Sequence, residues 1–263
     1  LRFYLGTHEP SWLARTTEPL FIARKRLARL RGDLPVATCP WVLDSGGYSE
    51  LNPKGPGRWT VTRDHYAAEV ERYADQVGNL AWAAPMDYMC EPDVVAHTGL
   101  TVAEHQRRTT ANFLDLRERC GMIIAPVLQG WTISDYQRHV AQYDAAGVWL
   151  DDEPVVAVGS VCRRGQDAEI HRIIRTLADY GLRLHAFGVR APALGGIADV
   201  VHSADSLSWS YQARKRARAG ELPDHPHPRG GVSCANCLTY AEQWRARTLA
   251  NLERSILYQG APA

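Results

Sequence analysis

The chain has 263 residues, 45% of them hydrophobic and 22% charged, with a formal net charge of +1. This composition excludes a disordered chain and a coiled coil, and the size suits one large α/β domain or two small ones. A balance so near zero gives no whole-molecule attraction to a polyanion, so a nucleic-acid partner must be held by local patches. Two patches exist, Arg24-Lys25-Arg26 with Arg29 and Arg31, and Arg214-Lys215-Arg216 with Arg218. Each reads equally well as a solvated helix face.

Arg2-Phe3-Tyr4-Leu5-Gly6 is short and aromatic and ends in glycine, which predicts a first buried strand. The first twelve residues hold no long apolar run behind a basic start, and no stretch approaches the ~20 apolar residues of a membrane span. A cytoplasmic location without a membrane is therefore expected, and its cysteines are expected as thiols or metal ligands. Cys39, Cys90, Cys120 and Cys162 are scattered and read as packing residues. Residues 20–31 read as a basic helix. A second strand, Trp41-Val42-Leu43, delivers Asp44-Ser45-Gly46-Gly47, and residues 52–57 form a Pro/Gly-rich loop.

From Thr62 the spacing of Tyr66, Val70, Tyr73 and Val77 predicts a helix with one apolar face. A third strand over 80–86 delivers Asp87. Thr101 with Glu104 predicts a capping box and a helix ending near Gly121. A fourth strand delivers Gln129, residues 132–146 are helical, and a fifth strand over 155–158 leads into Gly159-Ser160 and Arg163-Arg164. Asp167 is expected to cap a helix carrying Ile170, Ile173, Ile174 and Leu177, closed by a left-handed Gly181. The sixth strand is 184–189. The seventh, Val200-Val201, leads to Asp205 within Val200-Val201-His202-Ser203-Ala204-Asp205-Ser206-Leu207-Ser208-Trp209, where an apolar run delivers one carboxylate into small polar residues. Asp205 reads as a nucleophile.

Strands alternating with helices form an open doubly wound sheet or a closed barrel. Polar residues suited to chemistry follow most of the strands, and the glycine-rich dinucleotide fingerprint is missing, which favours a (β/α)8 TIM-type barrel over residues 1–220. No eighth strand is evident, so irregular closure is expected. Residues 221–263 change character: a Pro-, His- and Gly-rich stretch with His225 and His227, then Cys234-Ala235-Asn236-Cys237, then a last helix packed on the barrel.

In this order the motifs resemble the tRNA-guanine transglycosylase superfamily, and more closely its shorter branch of deazapurine DNA-modification transglycosylases, the DpdA-like proteins. Asp44-Ser45-Gly46-Gly47-Tyr48 is similar to that family's DSGG-aromatic motif, and Asp87 lies where it keeps a base-reading aspartate. Val127-Leu128-Gln129-Gly130, Val158-Gly159-Ser160 and Phe187-Gly188-Val189 match three further segments, and Asp205 falls at the nucleophile. Each motif alone is weak; six in order are specific. The tRNA enzymes carry Cys-x-Cys-x-x-Cys and a later histidine, whereas here Cys234-x-x-Cys237 remains, with Ala250 at the histidine position. His225 and His227 could supply the missing ligands of a structural zinc site.

The resemblance implies exchange of guanine in a polynucleotide, DNA rather than tRNA, for a 7-deazaguanine base such as 7-cyano-7-deazaguanine. Asp205 would attack the anomeric carbon and Asp44 would act as acid and base. Asp87 would accept from the N1-H and 2-amino edge, while the Gln129 amide and the backbone around Gly159 and Ser160 would donate to the 6-oxo group, beside Ser45 and Gly46. The base must be flipped or single-stranded. Tyr48, Tyr88, Trp131 and Trp209 are stacking candidates for which core packing is the simpler role, and Arg163 and Arg164 could hold phosphates. Accessory proteins or a homo-oligomer are compatible with this picture. The alternatives are a tRNA-guanine transglycosylase, base exchange or hydrolysis on a free nucleoside, a barrel hydrolase, and a catalytically silent nucleic-acid-binding protein, against which the three aspartates argue.

Overall fold

The computed structural model describes residues 1–221 and 234–259. Eight strands, β1 (Arg2–Thr7), β2 (Leu20–Ala23), β3 (Trp41–Asp44), β4 (Leu80–Ala83), β5 (Val127–Leu128), β6 (Val156–Val158), β7 (Leu184–Ala186) and β8 (Ser203–Ser206), form one parallel sheet in the order β4-β3-β2-β1-β8-β7-β6-β5. The sheet curls until its ends meet. Ala83 of β4 bridges to Ile124, and the Ala125 N–H donates to Ala83 O at 3.0 Å. Pro126 then interrupts the ladder, since proline has no N–H to give, and the chain resumes pairing as β5 on the other side. The result fits a TIM-like barrel whose irregular closure lies at a proline.

Around the sheet run α1 (Arg24–Leu27), α2 (Gly47–Leu51), α3 (Arg63–Gln76), α4 (Pro92–Thr98), α5 (Val102–Cys120), α6 (Ile133–Ala145), α7 (Asp167–Ala178), α8 (Ala191–Gly195), α9 (Ser208–Arg218) and α10 (Leu238–Gln259). Alternation along the strands sorts the core into two compartments. Phe3, Leu5, Leu20, Ile22, Trp41 and Leu43 point outward to the helices, whereas Tyr4, Val42, Trp82, Val127 and Ala157 fill the barrel interior with Phe21 and Phe187. The last helix packs against the first strand: the Trp244 ring lies 6.0 Å from Phe3, and the Arg245 Nε donates to Phe3 O at 3.1 Å.

The expected helix over 20–31 is corrected by the structure. Its first part is β2, buried between β1 and β3, and helix is confined to Arg24–Leu27. Four residues are too few for a strand period to show against the basic run behind them. This is the strand whose absence left the barrel one short. The strand expected at Val200-Val201 is displaced to Ser203–Ser206, so that Asp205 lies inside it. Small polar residues have little strand preference of their own; pairing with β1 on one side and β7 on the other holds them there.

Thr101 caps α5 by accepting from the Glu104 N–H at 3.1 Å, but the Glu104 carboxylate turns to Arg107 and Arg108 rather than closing a reciprocal box. Such a box forms instead at α6, between Thr132 and Asp135. Asp167 opens α7 without capping it, and its carboxylate binds Arg190 at 2.6 Å. Gly181 is left-handed as expected, with φ at 75°.

Candidate active site

Every strand from β2 to β8 sends a residue into one cleft of about 390 Å³ at the carboxyl ends of the strands. Its lining includes Asp44, Asp87, Gln129, Gly159, Ser160 and Asp205, all expected from the sequence, together with Phe21, Glu91, Phe187 and Gly188. Tyr48 and Arg163 stand on the same lining, and the Arg163 guanidinium lies 5.3 Å from the Tyr48 ring centre. Tyr48 is 51% exposed, so its face is available to a ligand.

The DSGG motif is a turn that builds a carboxylate site. Asp44 ends β3 and its Oδ1 accepts the Gly46 N–H at 3.0 Å. Gly46 sits at φ 85°, in the left-handed region that favours glycine. Ser45, fully buried, donates through Oγ to Asp87 Oδ1 at 3.0 Å and so ties the end of β3 to the loop after β4. Burial pushes the Asp44 carboxyl up to about 7, helped by the neighbouring charges of Asp87 and Asp205 and opposed by the Gly46 bond. Such a group is part protonated at neutral pH, suited to both giving and taking a proton.

Asp87 belongs to a chain of buried polar groups. Gln129 Nε2 donates to Asp87 Oδ2 at 2.6 Å, and Gln129 Oε1 lies 2.7 Å from Ser160 Oγ, which lies 2.8 Å from Glu91 Oε2. The Ser160 hydroxyl has one proton and faces two acceptors. The one proton is thus shared between Glu91 and Gln129, while burial raises the Glu91 carboxyl and the Gln129 amide donates on to Asp87. Burial lifts Asp87 to about 6 against the lowering effect of the Ser45 and Gln129 bonds. Each Asp87 oxygen has a second lone pair for the cleft.

Two backbone features keep this chain in place. A Cβ on Gly159 would come within 2.2 Å of Gln129 Nε2, so glycine is what lets the amide lie across β6. Ser160 adopts φ 55°, a strained value for a side chain, held by its bonds and by the Cys90 N–H at 2.8 Å. The Gly159 N–H is committed to Leu128 O at 2.9 Å and does not face a ligand.

Asp205 is 6% exposed and asymmetric. Its Oδ1 accepts the Gly188 N–H at 2.8 Å and lies 3.3 Å from His185 Nε2, while among the described residues nothing donates to Oδ2. A carboxylate held by one oxygen presents the other.

Trp209 is not brought into the cleft. It packs on Trp12 at 5.3 Å in the core and donates through Nε1 to Gly6 O at 2.8 Å. Trp131 lies elsewhere too, under the buried Arg164, whose Nη2 donates to Trp131 O at 2.7 Å. Tyr88 is packed beside Trp59 and His105. Of the paired arginines, Arg163 reaches the cleft. His185, Glu91 and Phe21 were not expected at the site from the sequence, and Phe187 was expected only as part of the Phe187-Gly188-Val189 segment. His185 is a lone polar residue in an apolar strand run, a signal that was there to find; Glu91, followed by proline, resembles any acid before a helix.

Cys234 and Cys237 are buried, and the Cys237 N–H donates to Cys234 O at 3.1 Å, which sets the two thiols on one turn before α10. His225 and His227 lie outside the described residues. Among the described residues no group of three or more His, Cys, Asp or Glu is placed to hold a metal, so the described donors amount to half of a four-ligand site.

The family described as DpdA, DeoxyPurine in DNA protein A, matches residues 1–259. The chain belongs to that family. No curated protein matches the chain. Among solved structures, a putative isomerase from Sinorhizobium meliloti is 12% identical with a TM-score of 0.38, covering 78% of this chain and 50% of its own. The carboxyl transferase domain of Rhizobium etli pyruvate carboxylase with 3-bromopyruvate is 12% identical with a TM-score of 0.40, covering 80% of this chain and 35% of its own. The DpdA chain thus spans half or less of these solved structures. No helix among its described residues is long and apolar enough to cross a membrane.

Proposed function

We propose that this chain exchanges guanine in DNA for a 7-deazaguanine base through a covalent glycosyl-aspartyl intermediate on Asp205. The observation that carries the reading is the asymmetric Asp205 carboxylate, anchored through Oδ1 and open at Oδ2, in one cleft with Asp44 and Asp87. Oδ2 attacks the anomeric carbon as the bond to guanine breaks, and an anion there suits an oxocarbenium-like transition state. Asp44 gives its proton to the departing purine and takes one from the incoming base, a role supported by its elevation to about 7. Asp87 accepts from the N1-H and 2-amino edge. The amide of Gln129 fixes Asp87 and turns its remaining N–H toward the 6-oxo group.

Phe21 and Phe187 give the cleft apolar walls for a flat base, Tyr48 a stacking face at the rim, and Arg163 a cation for a flanking phosphate. The incoming base is a free 7-deazaguanine such as 7-cyano-7-deazaguanine. Zinc bound by Cys234, Cys237, His225 and His227 would staple a segment too small for its own core. The paired cysteines on one turn support that assignment.

The test is incorporation of labelled guanine into duplex DNA, single-stranded DNA and tRNA, with wild type and Asp205→Asn side by side. Label enters DNA with the wild type and falls by at least ~10³-fold in the variant. Label entering tRNA alone, or a free nucleoside alone, would move the chain to the corresponding alternative. Release of guanine without exchange makes it a hydrolase.

A further inference from the structure

A histidine ring lies in the interior of the barrel beneath the cleft. His185, in the middle of β7, is fully buried. Phe21 stacks on its face at 5.7 Å with 9° between the planes, and the edges of Trp82 and Phe187 close around it at 4.9 and 5.2 Å. Its Nε2 lies 3.3 Å from Asp205 Oδ1, and its Nδ1 lies 2.9 Å from Ser203 Oγ. Ser203 and Asp205 are two residues apart on β8 and therefore share a face, and β7 pairs His185 with Ser203 in register.

We infer that His185 is the positioning residue of the Asp205 nucleophile, with Ser203 setting its tautomer; this rests on the reading of Asp205 given above. A carboxylate can only accept, so Nε2 carries a proton toward Oδ1. In the neutral ring Nδ1 must then accept, and the Ser203 hydroxyl donates to it. The Gly188 N–H and the His185 N–H together saturate Oδ1, which prevents the carboxylate from turning and leaves Oδ2 as the attacking atom. When the C1′–Oδ2 bond forms, Oδ1 becomes the ester carbonyl oxygen. The same two donors then stabilise the carboxylate that is regenerated when the incoming base takes the sugar. The aromatic cage leaves the ring no room to swing away.

The test uses the full chain, a guanine-containing DNA oligonucleotide and labelled guanine. It compares His185→Phe, which keeps the cage and removes both nitrogens, with His185→Gln, which returns a donor near the Nε2 position, and Ser203→Ala. His185→Phe is expected to lower the exchange kcat on the order of 10²-fold, the cost of one preorganised donor. Its KM for guanine and its affinity for the oligonucleotide stay within about threefold of wild type, as expected when a group acts in the transition state. His185→Gln recovers most of the loss, and Ser203→Ala lies between.

Mass spectrometry of acid-quenched reactions separates the two readings. A sugar adduct on Asp205 in the wild type that accumulates at the same rate in His185→Phe overturns the positioning role alone. No adduct on Asp205 in any wild-type quench, with exchange proceeding, overturns the nucleophile reading beneath it. Equal losses in His185→Phe and His185→Gln, accompanied by a raised KM, make His185 a packing residue.

Discussion

Along the β4 to β6 side of the cleft, Asp87, Gln129, Ser160 and Glu91 hold one another, and Ser45 adds a second bond to Asp87 from β3. Asp44 and Asp205, at the ends of β3 and β8, each take hydrogen bonds on Oδ1 and, among the described residues, none on Oδ2. The first side is built to keep its shape, because a buried polar chain with each member paired resists rearrangement. The second side keeps oxygen atoms in reserve. Under the proposed reaction, a cleft divided in this way would separate reading a base from breaking its bond, and substitution on either side should change different kinetic constants.

The largest effect is expected on the reacting side. Asp44→Asn removes the proposed proton shuttle while keeping the shape of the turn, so kcat should fall by about 10²- to 10⁴-fold with KM for guanine little changed. Because the Asp44 carboxyl stands near 7, the wild-type rate of guanine release should decline as pH rises through about 7, when the acid form disappears. The variant's residual rate should lack that decline. Single-turnover release measured from pH 5 to 9 checks both, and an unchanged alkaline decline in Asp44→Asn assigns the proton to another group. On the reading side, Asp87→Asn replaces an anionic acceptor and should raise KM for guanine about 10- to 100-fold, the cost of a charged hydrogen bond. Discrimination against hypoxanthine, which lacks the 2-amino group, should weaken with it. A kcat loss without a KM change would erase the division between the two sides.

Much of this site was legible in the sequence because Asp44, Asp87 and Asp205 each follow, or lie in, a strand, and strand ends are where a barrel collects its chemistry. Asp44, Asp87, Gln129, Ser160 and Asp205 fall in one cleft as a consequence of topology alone. What was illegible depends on contacts between distant residues. Trp209 is adjacent to the site in sequence, yet α9 turns its ring into the core against Trp12. Glu91 reaches Ser160 across 69 positions, and no local pattern reports such a pairing. The short β2 was hidden because its four residues run directly into a basic stretch, and Phe21 went unseen with it. His185 was visible as a residue, but its role needed the register of β7 on β8.

The smallest effect concerns stability, and its sign follows from the same burial. An ordinary aspartate loses its proton near 4 in the unfolded chain, whereas folded Asp44 keeps its proton to about 7 and Asp87 to about 6. Below about pH 4 both states are protonated and these groups are neutral in the balance. Between about 4 and 7 the folded chain holds protons that the unfolded chain has released, so stability falls as pH rises through that window. Above about 7 both forms are ionised and the full penalty of burying the charge is present. Asp44→Asn carries no such penalty. At pH 8 it should melt about 2–4 °C above wild type, the shift expected for ~1 kcal/mol in a chain of this class, and the difference should vanish toward pH 4. Thermal unfolding followed at several pH values reads this directly. A variant less stable than wild type at pH 8, or a gap as wide at pH 4, would mean that the carboxylate supports the fold. In the arrangement described here the stability lost at Asp44 is the counterpart of a proton held ready at neutral pH, which is why the gain in melting temperature and the loss of exchange should come from the same substitution.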